Sequence, residues 1–215
     1  MAIRIFLSPS SQPENVYAWG DTNEQAQCRK MADAAEAALK RCGFEVKNMQ
    51  GDSHMEDRVD SSNKWGADLH LPIHSNAYNG KVTGTRIFAY EKNTPSWNCA
   101  LAIFNELAPV TPGTSENLKA YPGLYELRKA KNMAVYVEVD FHDVPETARW
   151  MVEHPDLVGE ALCRGCCNYF NVPYVKPGDV KLYHVQVGAF KEKANAEKFL
   201  EQVKVDYPDA FIKYY

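Results

Sequence analysis

Apolar and polar positions along this chain repeat with two periods, one of strands and one of helices. "IRIFL" (3–7) opens as a short strand, and "TNEQAQCRKMADAAEAALKRCG" then places Cys28, Met31, Ala32, Ala35, Leu39 and Cys42 on one helix face. Thr22 and Gln25 are expected as its capping box and Gly43 as its stop. "FEVKNM" (44–49) predicts a second strand, "MEDRVDSSNKWG" (55–66) a short helix, "ADLHLPIH" (67–74) a third strand and "TGTRIFAY" (83–90) a fourth. A helix follows over "SWNCALAIFNELAPV". "MAVYVEVDF" (133–141) is the strongest strand pattern, and "PETARWMVE" and "PDLVGEALCRGCCNYF" read as helices. Strands alternating with helices of ten or more residues predict an α/β fold over residues 1–175, a mostly parallel twisted sheet with helices on both faces.

The pattern changes after that. "VPYVKPGDVK" (172–181) carries two prolines and a glycine and marks a linker at 176–181. Residues 182–215 then read as a small strand–helix–strand (βαβ) piece. A piece that short buries little surface alone, so it either packs on the main domain or pairs with a second copy.

Charge narrows the partners. A net charge of −4 gives no footprint for nucleic acid, and no apolar run is long enough to predict a membrane span. The opening "MAIRIFLSPSS" lacks the regions of a signal peptide, which leads us to expect a cytoplasmic protein. Of the six cysteines, Cys163, Cys166 and Cys167 form a CxxCC, weak evidence for zinc without a second ligand pair; buried free thiols are the expectation.

In open α/β sheets ligands sit at the carboxyl ends of the strands. Three features fall there: the long polar loop after Leu7, the "HSN" at 74–76, and the Glu138–Asp140–His142 stretch. The loop is about three times the length a simple turn needs. Glu24 lies in the first turn of its helix on the apolar face, where a carboxylate is costly unless a cation or several donors meet it. His74 ends a buried strand, either as a metal ligand or as a loop anchor. Strand alternation puts Glu138, Asp140 and His142 on one face, and burial there raises a carboxyl pKa toward what a general acid or base needs. Histidine and carboxylate on a metal, with a free glutamate beside them, are equipment for amide hydrolysis.

"LHLPIHSNAYNG", "TNE" and "VYVEVDFHDVPETARW" together resemble the zinc-dependent N-acetylmuramoyl-L-alanine amidases of the amidase-3 type, over roughly residues 3–173. The resemblance implies cleavage of the amide between the muramoyl lactyl group and L-alanine of peptidoglycan. It makes Glu24 and His74 ligands of Zn2+ and Glu138 the catalytic glutamate, with Asn76 contacting substrate and, from the second long polar loop "TPGTSENLKAYPGLYELR" (111–128), Tyr125 and Arg128. The family's "DPGHGG"-like loop, whose histidine is another ligand, is here "SPSSQ", with Ser11 at about that position. Three alternatives stay open: Gln12 reaches in through its oxygen, His142 substitutes, or the metal binds weakly or not at all.

"LYHVQVGAFKEKANAEKFLEQV" resembles the opening half of a SPOR repeat, a peptidoglycan-binding module, whose missing half a homodimer would complete. With no leader, the whole resembles an endolysin that reaches the wall at lysis. Two other readings stand beside it: a pseudo-amidase that binds peptidoglycan without cutting it, and a zinc carboxypeptidase.

Overall fold

The computed structural model describes residues 2–179, 186–207 and 210–212. They form two compact units, 1–177 and 178–215.

In the first unit β1 (Arg4–Pro9), β2 (Glu45–Asn48), β3 (Leu69–Asn76), β4 (Arg86–Ala89), β5 (Asn117–Ala120), β6 (Met133–Ala134) and β7 (Tyr136–Phe141) share one sheet. Its order is β2-β1-β3-β7-β4-β5, with β6 beside β3. All pairs are parallel except β4 with β7. The strand expected over 133–141 is broken at Val135 into β6 and β7. The expected 83–90 strand is shorter, and residues 111–128, expected as one long loop, contain β5 and a short helix, α4 (Tyr125–Lys129). Helical spacing is hard to see in five residues, so α4 had no signal in the sequence.

Helix α1 (Glu24–Arg41) forms as its spacing predicts, but its cap differs. Asn23 is the N-cap and its Oδ1 accepts from Ala26 N at 2.9 Å, while Thr22 Oγ1 accepts from the Gln27 side chain. Asn competes as well as Thr for this position, and the cap moves one residue. At the other end Gly43 has φ +93°, and its N–H and that of Phe44 reach the carbonyls of Lys40 and Leu39, closing a Schellman motif.

Leu69, Leu71 and Ile73 of β3 and Val137 and Val139 of β7 join the main core with Met31, Ala35 and Leu39 of α1. Helices α3 (Pro95–Leu107), α5 (Pro145–Glu153) and α6 (Pro155–Phe170) complete that layer. Helix α6 lies against both α1 and α3 because Gly159 and Gly165 leave room. A Cβ on Gly159 would sit 2.5 Å from the Ala34–Ala35 backbone, and one on Gly165 2.5 Å from Ile103 Cα. The other sheet face carries Phe6, His70, His74, Tyr136 and Phe88. It is covered by α2 (Met55–Trp65), whose Trp65 ring tilts on Phe6, and by α4, whose Leu127 packs with Tyr136.

All six cysteines are buried and free. Among the described residues no helix is long and apolar enough to cross a membrane. In the second unit α7 (Lys193–Asp206) forms where expected, with Phe190 and Phe199 in ring contact at 5.3 Å. Of the two strands expected around it, residues 186–190 and 210–212 are not strand, and the remainder lies outside the described residues.

Candidate functional site

The long loop after β1 is built, not slack. Ser10 N–H donates to Ile73 O, Ala18 N–H to His142 O and Tyr17 N–H to Thr22 O, and Val16 bridges Asn23. These bonds tie the loop to the ends of β3 and β7 and aim Gln12 and Asn15 at the first turn of α1.

Four side chains meet there. His74 Nδ1 lies 2.8 Å from Glu24 Oε1, and Gln12 Nε2 3.4 Å from the same ring nitrogen. Asn15 Nδ2 donates to Glu24 Oε2 at 2.6 Å and to Gln12 Oε1 at 3.0 Å, and Ser75 N–H reaches Glu24 Oε1 at 3.4 Å. The inward Glu24 therefore has the several donors its burial demands. Burial alone would raise its carboxyl pKa, but the His74 bond and charge, with Asn15, hold it below the ordinary carboxylate value. Burial would lower His74; Glu24 overrides it and the imidazole is raised.

Glu138 stands directly across from His74 in the β3–β7 register. Burial pushes its carboxyl up to about 8, His74 opposes and Glu24 reinforces the shift. Its Oε2 is buried without a hydrogen-bond partner, as is His70 Nδ1 on the same sheet face, and Glu138 alone of these two lines the cleft. The cleft, of about 240 Å³, is lined by Gln12, Asn15, Glu24, His74, Ser75, Asn76, Ala77, Glu138 and His142.

The remaining expected residues fare differently. Ser11 turns away, its Oγ donating to Ser53 O at 3.3 Å, so Gln12 takes the inward position. The β3–β7 register shifts between His74 and Asn76, and alternation does not carry from Glu138 to His142. His142 instead stacks on Tyr17 with its Nδ1 at 2.9 Å from Ser75 Oγ, lining the cleft without a hydrogen bond to Glu24 or His74. Asp140 accepts the amides of Gly84 and Gly113 and serves the loops. Asn76 lines the cleft, its Oδ1 accepting from Ala77 N. Tyr125 and Arg128 lie on α4 outside that lining, the guanidinium 5.9 Å over the ring. Asn15 was not anticipated; the only trace of it was the excess length of the loop.

Comparison with known proteins adds the following. A family model for N-acetylmuramoyl-L-alanine amidases, Amidase_3, matches residues 11–168, and a SPOR domain model matches residues 168–214, reaching upstream of the expected linker into α6. The sporulation-specific N-acetylmuramoyl-L-alanine amidase of Bacillus subtilis is 28% identical over 163 residues, 74% of this chain and 61% of that protein. The amidase CwlM of Bacillus licheniformis is 26% identical over 74% of this chain and 62% of its own. The chain thus spans about three-fifths of the length of these relatives. Among solved structures, the catalytic domain of CwlV from Bacillus (Paenibacillus) polymyxa superposes with a TM-score of 0.71 at 18% identity, covering 80% of this chain and all of that one, a likeness of fold.

Proposed function

This chain belongs to the N-acetylmuramoyl-L-alanine amidase family, and we propose that it hydrolyses the amide joining the muramoyl lactyl group to L-alanine in peptidoglycan. The observation that carries the reading is the convergence of Glu24 and His74, 2.8 Å apart, with the part-buried Glu138 opposite His74, its Oε2 buried and without a hydrogen-bond partner.

An adjacent imidazole and carboxylate, with an amide oxygen available if Gln12 is turned over, fit a divalent cation held by three protein donors. His74, Glu24 and Gln12 would hold the ion, and zinc there would supply a Lewis acid for the scissile carbonyl and a more acidic water. Glu138 does the proton work. A carboxyl whose proton affinity lies near neutrality takes a proton from the attacking water at one oxygen and hands it to the leaving nitrogen of L-alanine as the C–N bond breaks. Asn76, at the mouth of the cleft, orients the stem peptide. The SPOR match supports a second contact with peptidoglycan through residues 168–214.

A second reading has one observation behind it. Ser11 stands where the family has a histidine and faces away from the cleft, which favours a protein that binds peptidoglycan without cutting it. Zymography on purified wall separates the two. Clearing that chelator abolishes and zinc restores supports hydrolysis; retention on the wall without clearing supports the second reading.

A further inference from the structure

We propose that Cys42, Cys163 and Cys167 form a second metal site, one for zinc or another thiophilic d10 cation, where the C-terminal end of α1 meets α6. Cys163 and Cys167 are one helical turn apart and face Cys42, just beyond α1. Cys166 lies toward α3, beside Cys99, so the CxxCC divides and the ligand set is Cys42 with Cys163-x3-Cys167. Cys163 Sγ is 3.5 Å from Cys42 Sγ and 4.0 Å from Cys167 Sγ, and all three sulfurs lie within 4.8 Å of one another. Metal–sulfur bonds of about 2.3 Å in tetrahedral array set sulfurs about 3.8 Å apart, whereas a disulfide needs about 2.05 Å. Among the described residues this is the one place where three His, Cys, Asp or Glu donors gather so closely.

Two groups adjoin the sulfurs. Val175 N–H donates to Cys42 Sγ at 3.3 Å, and the Arg41 guanidinium, held by Val175 O and Glu160, brings positive charge beside the cluster. Coordination releases the thiol protons to solvent and leaves a fourth position for an exogenous ligand. The site is independent of the cleft: α1 has 18 residues with Glu24 at its start and Cys42 past its end, about 27 Å along the axis. A cation here fastens α1, α6 and the segment through Val175.

The test is a Cd2+ titration of the full chain, stripped by chelator and kept in a thiol-free reductant. The expected result is a near-ultraviolet thiolate charge-transfer band that saturates at one equivalent. It persists in a Glu24→Ala/His74→Ala double variant and is lost in Cys167→Ser and in Cys42→Ser, the latter at the least buried of the three cysteines. 113Cd resonance on the unaltered chain needs no variant and should report sulfur-rich coordination. No thiolate band, a band unchanged in the Cys42→Ser/Cys163→Ser/Cys167→Ser variant, nitrogen and oxygen coordination only, or a Cys42–Cys163 disulfide under reductant would each overturn the proposal.

Discussion

Strand β3 carries two histidines on the same face, four residues apart, and each meets a glutamate from the first turn of a helix. His70 Nε2 is 3.1 Å from Glu126 Oε1, on α4; His74 Nδ1 is 2.8 Å from Glu24 Oε1, on α1. As chemistry the two pairs are nearly identical, and in both the glutamate is held below its ordinary pKa against a burial effect of opposite sign. They differ in what surrounds them. His70 stacks on Phe6, Ser8 Oγ closes on Glu126 at 2.7 Å, and the pair is sealed under α4. His74 and Glu24 line the cleft, with Glu138 across the strand and two loop amides beside them. A histidine–carboxylate pair is a structural clamp or a candidate ligand set according to whether substrate can reach it and a third ionisable group stands by.

The largest expected effect separates the two directly. Glu138→Gln keeps the shape of the cleft but removes the proton acceptor, and turnover of purified peptidoglycan should fall by roughly 10²-fold or more with no loss of melting temperature. Full activity in that variant would remove Glu138 from the chemistry. The clamp should respond in the opposite way. Glu126→Ala leaves His70 buried without its partner and should cost about 3 kcal/mol in denaturant unfolding, while activity per folded molecule changes less than tenfold.

Gln12 sharpens the comparison next, because it distinguishes the open pair from the sealed one. Gln12→Ala removes one of the three protein donors and should weaken zinc binding by about 100-fold or more, beyond the 10- to 100-fold that loss of a mere partner to a ligand costs. Gln12→His should tighten it, and Ser11→His, whose side chain points toward Ser53, should not. Competition with a chelating dye measures all three.

The smallest effect is on stability against pH. Glu138 has a folded pKa of about 8 against an ordinary 4.5, so between those values the folded metal-free protein binds more protons than the unfolded chain. Its stability should therefore decline as pH rises through that window. Glu138→Gln removes this slope. His74, raised in the fold, adds a further loss in both proteins as pH climbs from its ordinary 6.5 through its folded pKa.

Much of the scaffold was legible. α1 and α6 announced themselves by apolar spacing, β1 and β3 by runs of apolar residues, and Glu24, His74 and Glu138 by standing as polar groups where burial was expected. What escaped notice depended on contacts distant in sequence or on single-residue shifts. The cap fell on Asn23 because three adjacent residues could each have served. The slip between His74 and Asn76 redirected His142, and no sequence period records a bulge. His70 and Glu126, 56 positions apart, meet only because α4 forms in what reads as a polar loop. The three-sulfur cluster was invisible for the same reason: Cys42 lies 121 residues before Cys163.

The most direct measurement is the identity of the bond cut. Purified peptidoglycan digested by the zinc-loaded chain should yield new amino-terminal L-alanine in step with clearing and no new reducing sugar ends, and Glu138→Gln should yield neither clearing nor termini. New termini elsewhere in the stem peptide, or release of carboxyl-terminal residues with the muramoyl–alanine amide intact, would contradict the account.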